Sequence, residues 1–297
     1  LSKRLDNAEK KLSTPNLIAL ENLVSLLTQV PVKFINPIWM STFRLHHRGV
    51  NRYYQNRVFL TGDAAHIHSP IGGQGMNTGI QDSTNLAWKL ALVLKKNTHV
   101  KLLDTYETER HAVGRILLKI TDRFFSLLTA PGFLVSKLRN KLLPWLIKFL
   151  FSKKNVEKRL FWFISQLNIN YAKNQFNYEI IDKSNSSFKG GVCPGHRAPN
   201  APVNASDLFT LLAEKPFNIL YFKVSEQLKD KFIEKISSLT KNYKEWLKVH
   251  VLALSSTNRL LFERYGITSS AIYVIRPDGY VGFRINSANY TLLADYL

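Results

Sequence analysis

The sequence predicts a mixed protein of two units, a helix-rich α/β unit followed by an α+β unit. Apolar residues recur at helical spacing through much of residues 104–182, which favours helices there. After residue 216, short runs of β-branched and aromatic residues alternate with helical segments, a pattern typical of a mixed sheet. The 297 residues are enough for about two domains of roughly 150 residues, each with its own core.

In the first unit, residues 1–14 are polar and residues 16–30 (NLIALENLVSLLTQV) are spaced as a short amphipathic helix. Residues 39–54 mix aromatic, β-branched and basic side chains, which is typical of strands with one solvent-exposed face. Residues 57–61 (RVFLT) form a compact apolar strand that runs directly into a Gly-Asp pair. Residues 77–96 predict a long helix that begins near Met76. Helices are expected almost throughout 104–182, with breaks near Pro131, Gly132 and Pro144.

Residues 183–192 have the Ser, Asn, Gly and Lys composition of a linker, so the chain divides into 1–182 and 193–297. Strands are predicted beyond it at 217–224, 245–255, 270–277 and 280–284, and helices at 225–240, 258–266 and 286–297. Asp278-Gly279 is a strong hairpin signal, and an exposed ion pair between Arg276 and Asp278 is expected beside it. The order β-α-β-α-β-β-α is that of a thioredoxin-like domain.

The charge balance narrows the possible partners only slightly. The 41 basic and 21 acidic residues give a net charge of +20, which could favour nucleic acid, an anionic membrane or an anionic ligand. Lysines alternate with apolar residues in many segments, which is typical of solvated helix faces, and the sequence carries no nucleic-acid recognition motif. We therefore expect neither nucleic acid nor a membrane as partner. The basic amphipathic stretch 133–151 is interpreted as a packing surface rather than a membrane-interface helix.

Cysteine content limits the chemistry. The single cysteine, Cys193, excludes an internal disulfide framework and any multi-cysteine metal site. It is consistent with a reducing compartment, and a cytoplasmic location is expected. The apolar content of 45% is that of a folded protein, and charges interrupt the longest apolar runs, so no transmembrane helix is predicted.

The most informative segment is residues 57–89, in which a strand ends at Gly62-Asp63, a loop contains Gly72, Gly73 and Gly75, and a long helix follows. Glycines let backbone N–H groups approach a ligand closely, and a helix N-terminus presents unpaired donors at the positive end of its dipole. A carboxylate at a strand end can accept hydrogen bonds from ligand hydroxyls. These residues are equally consistent with a strand-loop-helix turn whose glycines serve geometry alone.

The same segment resembles the second flavin-binding motif of FAD-dependent aromatic-ring monooxygenases of the phenol hydroxylase type. The matching residues are Gly62-Asp63-Ala64-Ala65-His66, Pro70, Gly73-Gln74-Gly75-Met76-Asn77, Asp82, Asn85-Leu86 and Trp88-Lys89-Leu90. Residues 102–110 resemble the next helix of that family, and residues 195–200 and 276–284 resemble its thioredoxin-like domain. The resemblance therefore identifies residues 1–182 as the second, helix-rich half of a flavin and substrate domain of the glutathione-reductase type.

The resemblance implies FAD as cofactor and NAD(P)H as reductant, with O2 supplying the oxygen that hydroxylates an aromatic or polyketide-like ring. Asp63, in the turn with Gly62, would bind the ribityl chain, and Pro70, the one residue assigned a catalytic place, would lie beside the isoalloxazine ring. The segment Gly73, Gln74, Gly75, Met76 and Asn77 would face the pyrimidine edge. No metal is implied, and the pair His66 and His68 is not expected to bind one. A small aromatic substrate and a homodimer are the expected partners.

Two departures from the family lead to an alternative hypothesis. No G-x-G-x-x-G follows a strand in this sequence, so the fold that would hold the ADP half of FAD is not found, and the chain is interpreted as a C-terminal portion of a longer hydroxylase. Ser225-Glu226-Gln227 stand where a thioredoxin would carry its cysteine pair, so residues 193–297 are expected to be redox-inert and to hold two subunits together. The alternative is an inactive remnant whose second unit serves only association.

Overall fold

The computed structural model describes residues 16–41, 46–68, 73–96, 98–129, 151–171, 174–185, 188–224 and 231–297, together with isolated positions between 137 and 149. The predicted first helix is confirmed as α1, Leu17–Thr28. Its N-cap is Asn16, whose side-chain oxygen accepts a hydrogen bond from the backbone N–H of Ile18 at 3.0 Å.

The strands predicted between residues 39 and 61 are present only as two-residue segments. They are β1 (Arg48–Gly49), β2 (Tyr54–Gln55), β3 (Val58–Phe59) and a fourth segment, β4 (His66–Ile67). β1 pairs with β4 and β2 pairs with β3, both antiparallel. These paired segments lie over a small core that includes Tyr53, Leu86 and Tyr106.

The predicted long helix is confirmed as α2, Gly75–Lys96. A short 3-10 segment, Val100–Leu103, leads into α3 (Asp104–Tyr106), a π-helical turn (Glu107–His111) and α4 (Ala112–Thr129). The stretch 133–151, predicted to be a packing surface, lies largely outside the described residues. No helix within the described residues is both long and apolar enough to cross a membrane.

Helix was predicted almost throughout 104–182, and this is wrong after residue 164. Helix α5 spans Lys154–Ile164, and the chain then turns and forms a strand, β5, at Tyr178–Ile180. Asparagine side chains explain the change, because they bind nearby backbone groups in place of helical hydrogen bonds. Asn174 accepts from the N–H of Phe176 at 2.9 Å, and Asn177 donates to the carbonyl of Tyr171 at 2.9 Å.

The second unit is built on a five-stranded sheet with the order β5-β11-β10-β8-β9. β8 and β9 are parallel, as are β5 and β11, and the other two pairings are antiparallel. Its further elements are β6 (Pro202–Val203), β7 (Ser206–Asp207), α6 (Leu208–Leu212), β8 (Phe217–Lys223), α7 (Lys231–Thr240), β9 (Leu247–Ala253), α8 (Arg259–Arg264), β10 (Ala271–Ile275), β11 (Val281–Ile285) and α9 (Tyr290–Tyr296). The predicted order of strands and helices after residue 216 is thus observed, with residues 225–230 of the predicted helix outside the described residues.

Both faces of this sheet are buried. Leu220 and Phe222 of β8 enter one apolar cluster, and Ile219 and Tyr221 enter the other, as the two-residue period of a strand requires. Helices α6 and α8 lie on the first face and α7 and α9 on the second. The edge strand β5 precedes residues 183–192 in the chain. This sheet therefore includes residues on both sides of the predicted linker.

The hairpin predicted at Asp278-Gly279 joins β10 to β11. Gly279 adopts a left-handed φ of +78°, and the N–H of Arg276 donates to the carbonyl of Tyr280 at 2.8 Å. The expectation of an exposed ion pair here is wrong, because Arg276 is only 4% exposed. Arg276 is buried against the helices of the first unit, and the tip residues beside it are partly buried, which the local sequence does not reveal.

Candidate functional site

The predicted Gly-Asp pair forms a tight turn packed on helix α2. Gly62 begins a 3-10 turn, Gly62–Ala64, with a left-handed φ of +58°. A Cβ atom placed on Gly79 of α2 would lie 3.2 Å from the Cα of Gly62, so the turn approaches the helix closely because Gly79 has no side chain. Asp63 is exposed at this turn, and its carboxylate is therefore accessible to a ligand.

The start of α2 provides backbone donors. Helical hydrogen bonding begins with the carbonyl of Gln74, which accepts from the N–H of Thr78 at 3.0 Å, so the N–H groups before Thr78 have no acceptor within the helix. The first turn contains no acidic residue to compete for them. Met76 is 74% exposed and Asn77 is also exposed. The positive end of the dipole of a 22-residue helix therefore lies beside two exposed residues.

Of the other predicted site residues, Gly73 and Gln74 are described by the structure and Pro70 is not. Gly73 has a left-handed φ of +61° and open space where a Cβ would lie, while the side chain of Gln74 is buried and its Nε2 donates to the carbonyl of Phe163 at 3.3 Å. Gln74 therefore anchors the loop rather than facing outward. Pro70 belongs to the segment 69–72, which lies outside the described residues.

Asp82, which carried no predicted role, connects the turn to the helices. It is fully buried and accepts from the N–H of Gly62 at 3.2 Å, while its Oδ2 lies 2.7 Å from His66 Nε2. The Nε of Arg110, also fully buried, donates to its Oδ1 at 2.6 Å. Burial alone would raise the pKa of Asp82, but the hydrogen bond to His66 and the charge of Arg110 outweigh it and lower that pKa.

Arg110 extends this connection to two further parts of the site. Its guanidinium donates to the carbonyl of Thr78 at 3.2 Å and to the hydroxyl of Tyr171 at 2.9 Å. Because Asp82 binds the Gly62 turn and Arg110 binds the first turns of α2, this buried ion pair fixes the two predicted cofactor-binding segments relative to each other.

His68 lies between these segments. Its Nε2 is 2.6 Å from Nδ1 of His66, and its ring lies beside Gly75, where an added Cβ would meet Cδ2 at 3.9 Å. Burial and the proximity of His66 lower the pKa of His68 to about 4, so the ring is neutral near pH 7. Its Nδ1 is buried without a hydrogen-bond partner. In the described part of the chain no three His, Cys, Asp or Glu side chains are placed to hold a metal ion.

A second buried network joins α2 to the C-terminal sheet. Glu109, in the π-helical turn, accepts from Lys89 at 2.8 Å and from both terminal nitrogens of Arg276 at 2.6 and 2.9 Å. The carboxylate of Asp278 accepts from Asn85 at 3.1 Å and binds Arg276. Burial lowers the pKa of Lys89 to about 8, against the opposing charge of Glu109. Arg276 and Lys89 in turn hold the pKa of Glu109 well below its usual range, although burial alone would raise it.

Sequence reasoning assigned no role to these residues, although a signal for them was present. Asp82, Asn85 and Lys89 recur at i, i+3 and i+7, so they share the buried stripe of α2 with Leu86. Polar residues within an otherwise apolar helix stripe indicate buried partners. Their partners come from other elements and could not be found in the same way.

The residues of the first site fit the ribityl and ring portions of FAD. An exposed carboxylate suits vicinal hydroxyls, and the N–H groups at the start of α2 suit the electron-rich pyrimidine edge. Glycines at the turn and before the helix leave the backbone accessible. The site has the chemistry of half a dinucleotide cofactor site.

Several known proteins resemble this chain in sequence and in fold. Residues 6–121 match the family described as FAD binding domain. The chain is 40% identical over 174 residues to 6-methylpretetramide 4-monooxygenase of Streptomyces rimosus, covering 56% of this chain and 29% of that protein. It is 30% identical over 255 residues to an uncharacterized aromatic compound monooxygenase of Bacillus subtilis, covering 85% of this chain and 45% of that protein.

A solved structure of CabE, an aromatic hydroxylase from angucycline biosynthesis, shares the fold with a TM-score of 0.65 and 29% identity, over 92% of this chain and 50% of that chain. The predicted resemblance to FAD-dependent aromatic-ring monooxygenases is thereby confirmed. The chain spans about half the length of the Bacillus relative and of CabE.

Proposed function

We propose that this chain is the flavin-ring half of an FAD-dependent monooxygenase that hydroxylates an aromatic or polyketide-like ring with NAD(P)H and O2. The names of the relatives support the reaction class, since they include a 6-methylpretetramide monooxygenase and an angucycline aromatic hydroxylase. FAD, when bound, supplies the redox chemistry. The chain supplies position, hydrogen-bond donors and a fixed electrostatic field.

The observation that carries the proposal is the joining of two ligand-facing segments by one buried ion pair, Asp82 with Arg110. Asp63 would accept hydrogen bonds from the ribityl hydroxyls. The N–H groups at Gly75, Met76 and Asn77 would hold the pyrimidine edge and stabilise negative charge there, since they lie at the positive end of a long helix. Pro70 would lie beside the ring, where a residue without an N–H keeps the loop shape.

The test is flavin retention. Residues 1–297 alone are expected to elute colourless from gel filtration after incubation with FAD, because one turn and one helix N-terminus do not replace a pyrophosphate-binding fold. A fusion to the ADP-binding fold of a relative is expected to elute yellow and to consume NADH or NADPH with O2 when an aromatic substrate is present. A colourless fusion with native-like circular dichroism would contradict the proposal.

For the second unit we propose a redox-inert, thioredoxin-like association module within a homodimer. Its order of elements and the exposed, single Cys193 support this assignment, since one cysteine cannot cycle through an internal disulfide. As a second candidate for the whole chain, an inactive remnant would retain this association without flavin binding. The fusion experiment distinguishes the two, because a remnant stays colourless while keeping its dimer mass.

A further inference from the structure

The C-terminal sheet ends at a strand whose outer edge is unpaired within the described residues. In the order β5-β11-β10-β8-β9, strand β9 pairs with β8 on one side only. Strand β9 is seven residues long, Leu247–Ala253, whereas β5 at the opposite edge has three residues. A long edge strand presents a row of backbone donors and acceptors that can pair with another strand.

The hydrogen bonds to β8 establish which residues of β9 face outward. The N–H of Phe217 donates to the carbonyl of Trp246 at 2.8 Å. The N–H of Leu254 donates to the carbonyl of Lys223 at 3.4 Å. Because successive residues of a strand direct their backbone groups to opposite sides, the even-numbered residues from 246 to 254 face β8. The residues whose backbone groups point away from the sheet are therefore Leu247, Val249, Val251 and Ala253.

Strand β9 lacks the features that usually prevent edge pairing. It contains no proline, and its register with β8 runs without a bulge from Leu247 to Ala253. Its lysine, Lys248, forms an ion pair with Glu214, so its charge is compensated within the chain. His250 is buried, and burial together with the charge of Lys248 lowers its pKa to about 4, so the ring is neutral near pH 7.

Apolar side chains are exposed at the carboxyl end of this edge. Val251 is 44% exposed, and Leu254, which follows the strand directly, is 54% exposed. Val224, which follows β8 directly, is 43% exposed. Apolar side chains beside unpaired backbone groups favour a protein strand as the partner of this edge.

A second copy of β9 matches the outward-facing groups. Antiparallel pairing about a two-fold axis beside His250 places Val249 of one copy opposite Val251 of the other. The same register places Leu247 opposite Ala253, so all four outward-facing residues are paired. We propose that two copies of the chain associate through β9, so that their two sheets become one continuous sheet. This inference rests on the proposed homodimer and assigns its interface.

The side chains are compatible with this register. Lys248 lies opposite Leu252 of the second copy, so no like charges face each other across the pair. The carbonyl of Ala253 already accepts from the side chain of Asn258 at 2.7 Å, so the new ladder ends at that residue. Two-fold pairing occupies this edge in both copies, which limits the assembly formed through β9 to a dimer.

Light scattering of the purified 297-residue chain over a range of concentrations measures the association. A mass of twice 34.1 kDa is expected at high concentration. Amide hydrogen exchange at Val249 and Val251 is expected to be slow in the dimer and to become faster on dilution. A mass of 34.1 kDa at every concentration would overturn both the proposed homodimer and this interface.

Val251→Pro tests the edge itself. Proline removes an outward-facing N–H that has no partner in β8, so the pairing of β9 with β8 is expected to persist. The dissociation constant of the dimer is expected to rise at least about tenfold, because the two-fold axis makes the change remove two hydrogen bonds. Val251→Thr is the matched control, since threonine keeps the N–H and favours a strand, and its dimer is expected to persist.

Val251→Lys gives a second test that does not change the backbone. The side chain at this position is exposed, so lysine is expected to leave the circular dichroism spectrum unchanged while shifting the mass to that of the monomer. Val58→Lys changes an equally accessible valine outside the sheet and is expected to stay dimeric. A dimer that persists in both Val251→Pro and Val251→Lys would overturn the assignment of β9 and would leave the homodimer itself in place.

Discussion

At the scale of single residues, two aspartates near the same turn have opposite roles. Asp63 is exposed and faces solvent, whereas Asp82 is buried and bound to Gly62, His66 and Arg110. The first aspartate is available to a ligand and contributes little to the fold. The second holds the fold together and has no oxygen free for a ligand.

Asp63→Ala is therefore expected to weaken FAD binding by about 10- to 100-fold in the fusion protein, as expected for a lost charge-assisted hydrogen bond. Its free energy of unfolding without FAD should stay within about 0.5 kcal/mol of the parent, because an exposed side chain is removed. Flavin fluorescence titration and urea denaturation measure the two quantities. Parent-like FAD affinity would show that the assignment of Asp63 to the ribityl chain is wrong.

Asp82→Asn is expected to lower the free energy of unfolding by about 3–5 kcal/mol, because Arg110 then stays buried without its carboxylate. Urea denaturation of the chain without cofactor measures this loss. The double variant with Arg110→Gln is expected to lose less than the sum of the two single changes, since the two residues interact directly. Strict additivity would contradict this interaction.

Two buried histidines are expected to make the folded state less stable as the pH falls. Burial lowers the pKa of His68 to about 4, and burial and Lys248 do the same for His250. Both rings bind fewer protons when folded than when unfolded, so stability is complete above the unfolded pKa of about 6.5 and falls as the pH drops toward 4. Urea denaturation between pH 7 and pH 4.5 is expected to show this fall, and His68→Gln should reduce its slope. An unchanged slope in that variant would refute the role of His68.

At the scale of elements, helix α2 is the central element of the molecule. Its N-terminus forms the candidate flavin site, and its buried stripe carries Asp82, which binds Arg110, and Lys89, which binds Glu109. The π-helical turn Glu107–His111 turns Glu109 and Arg110 inward as consecutive residues, each to a different network. Such turns recur at functional sites because they reorient neighbouring side chains.

Arg276→Ala tests the network between the units. The change removes one of the two cations that pair with the buried Glu109 and leaves only Lys89. A loss of about 3–5 kcal/mol in the free energy of unfolding is therefore expected. Arg259→Ala removes an exposed ion pair and is expected to cost no more than about 0.5 kcal/mol. Chemical denaturation compares the two variants, and equal losses would show that the buried network contributes little.

At the scale of the whole molecule, buried ion pairs as well as the chain itself join the two predicted units. Arg276 and Asp278 of the second unit contact Glu109 and Asn85 of the first, so residues 193–297 cannot be removed without leaving charges unpaired. A deletion of residues 193–297 that tests the predicted homodimer must therefore also replace the charged residues that it would expose.

Light scattering of the fusion protein is expected to give the mass of a dimer. Deletion of residues 193–297 is expected to shift the mass to that of a monomer, with Glu109→Gln and Lys89→Met included so that the exposed surface carries no unpaired charge. Flavin absorbance of the deletion variant should persist, which serves as the control for folding. A deletion variant that stays dimeric would place the interface on the helices between 104 and 182.

The sequence alone determined the features that depend on local spacing and turn chemistry. Helix α2, the Gly62 turn, the hairpin at Gly279 and the strand and helix order after residue 216 follow from periodicity and glycine placement, and the resemblance to flavin monooxygenases rests on consecutive residues. Only the tertiary structure decided which polar side chains meet. Asp82 with Arg110, and Glu109 with Arg276, are separated by 28 and 167 residues, and their burial comes from packing between elements. Local spacing cannot encode such a contact, because the sequence around a charged helix residue is the same whether its side chain is solvated or pairs with a distant carboxylate.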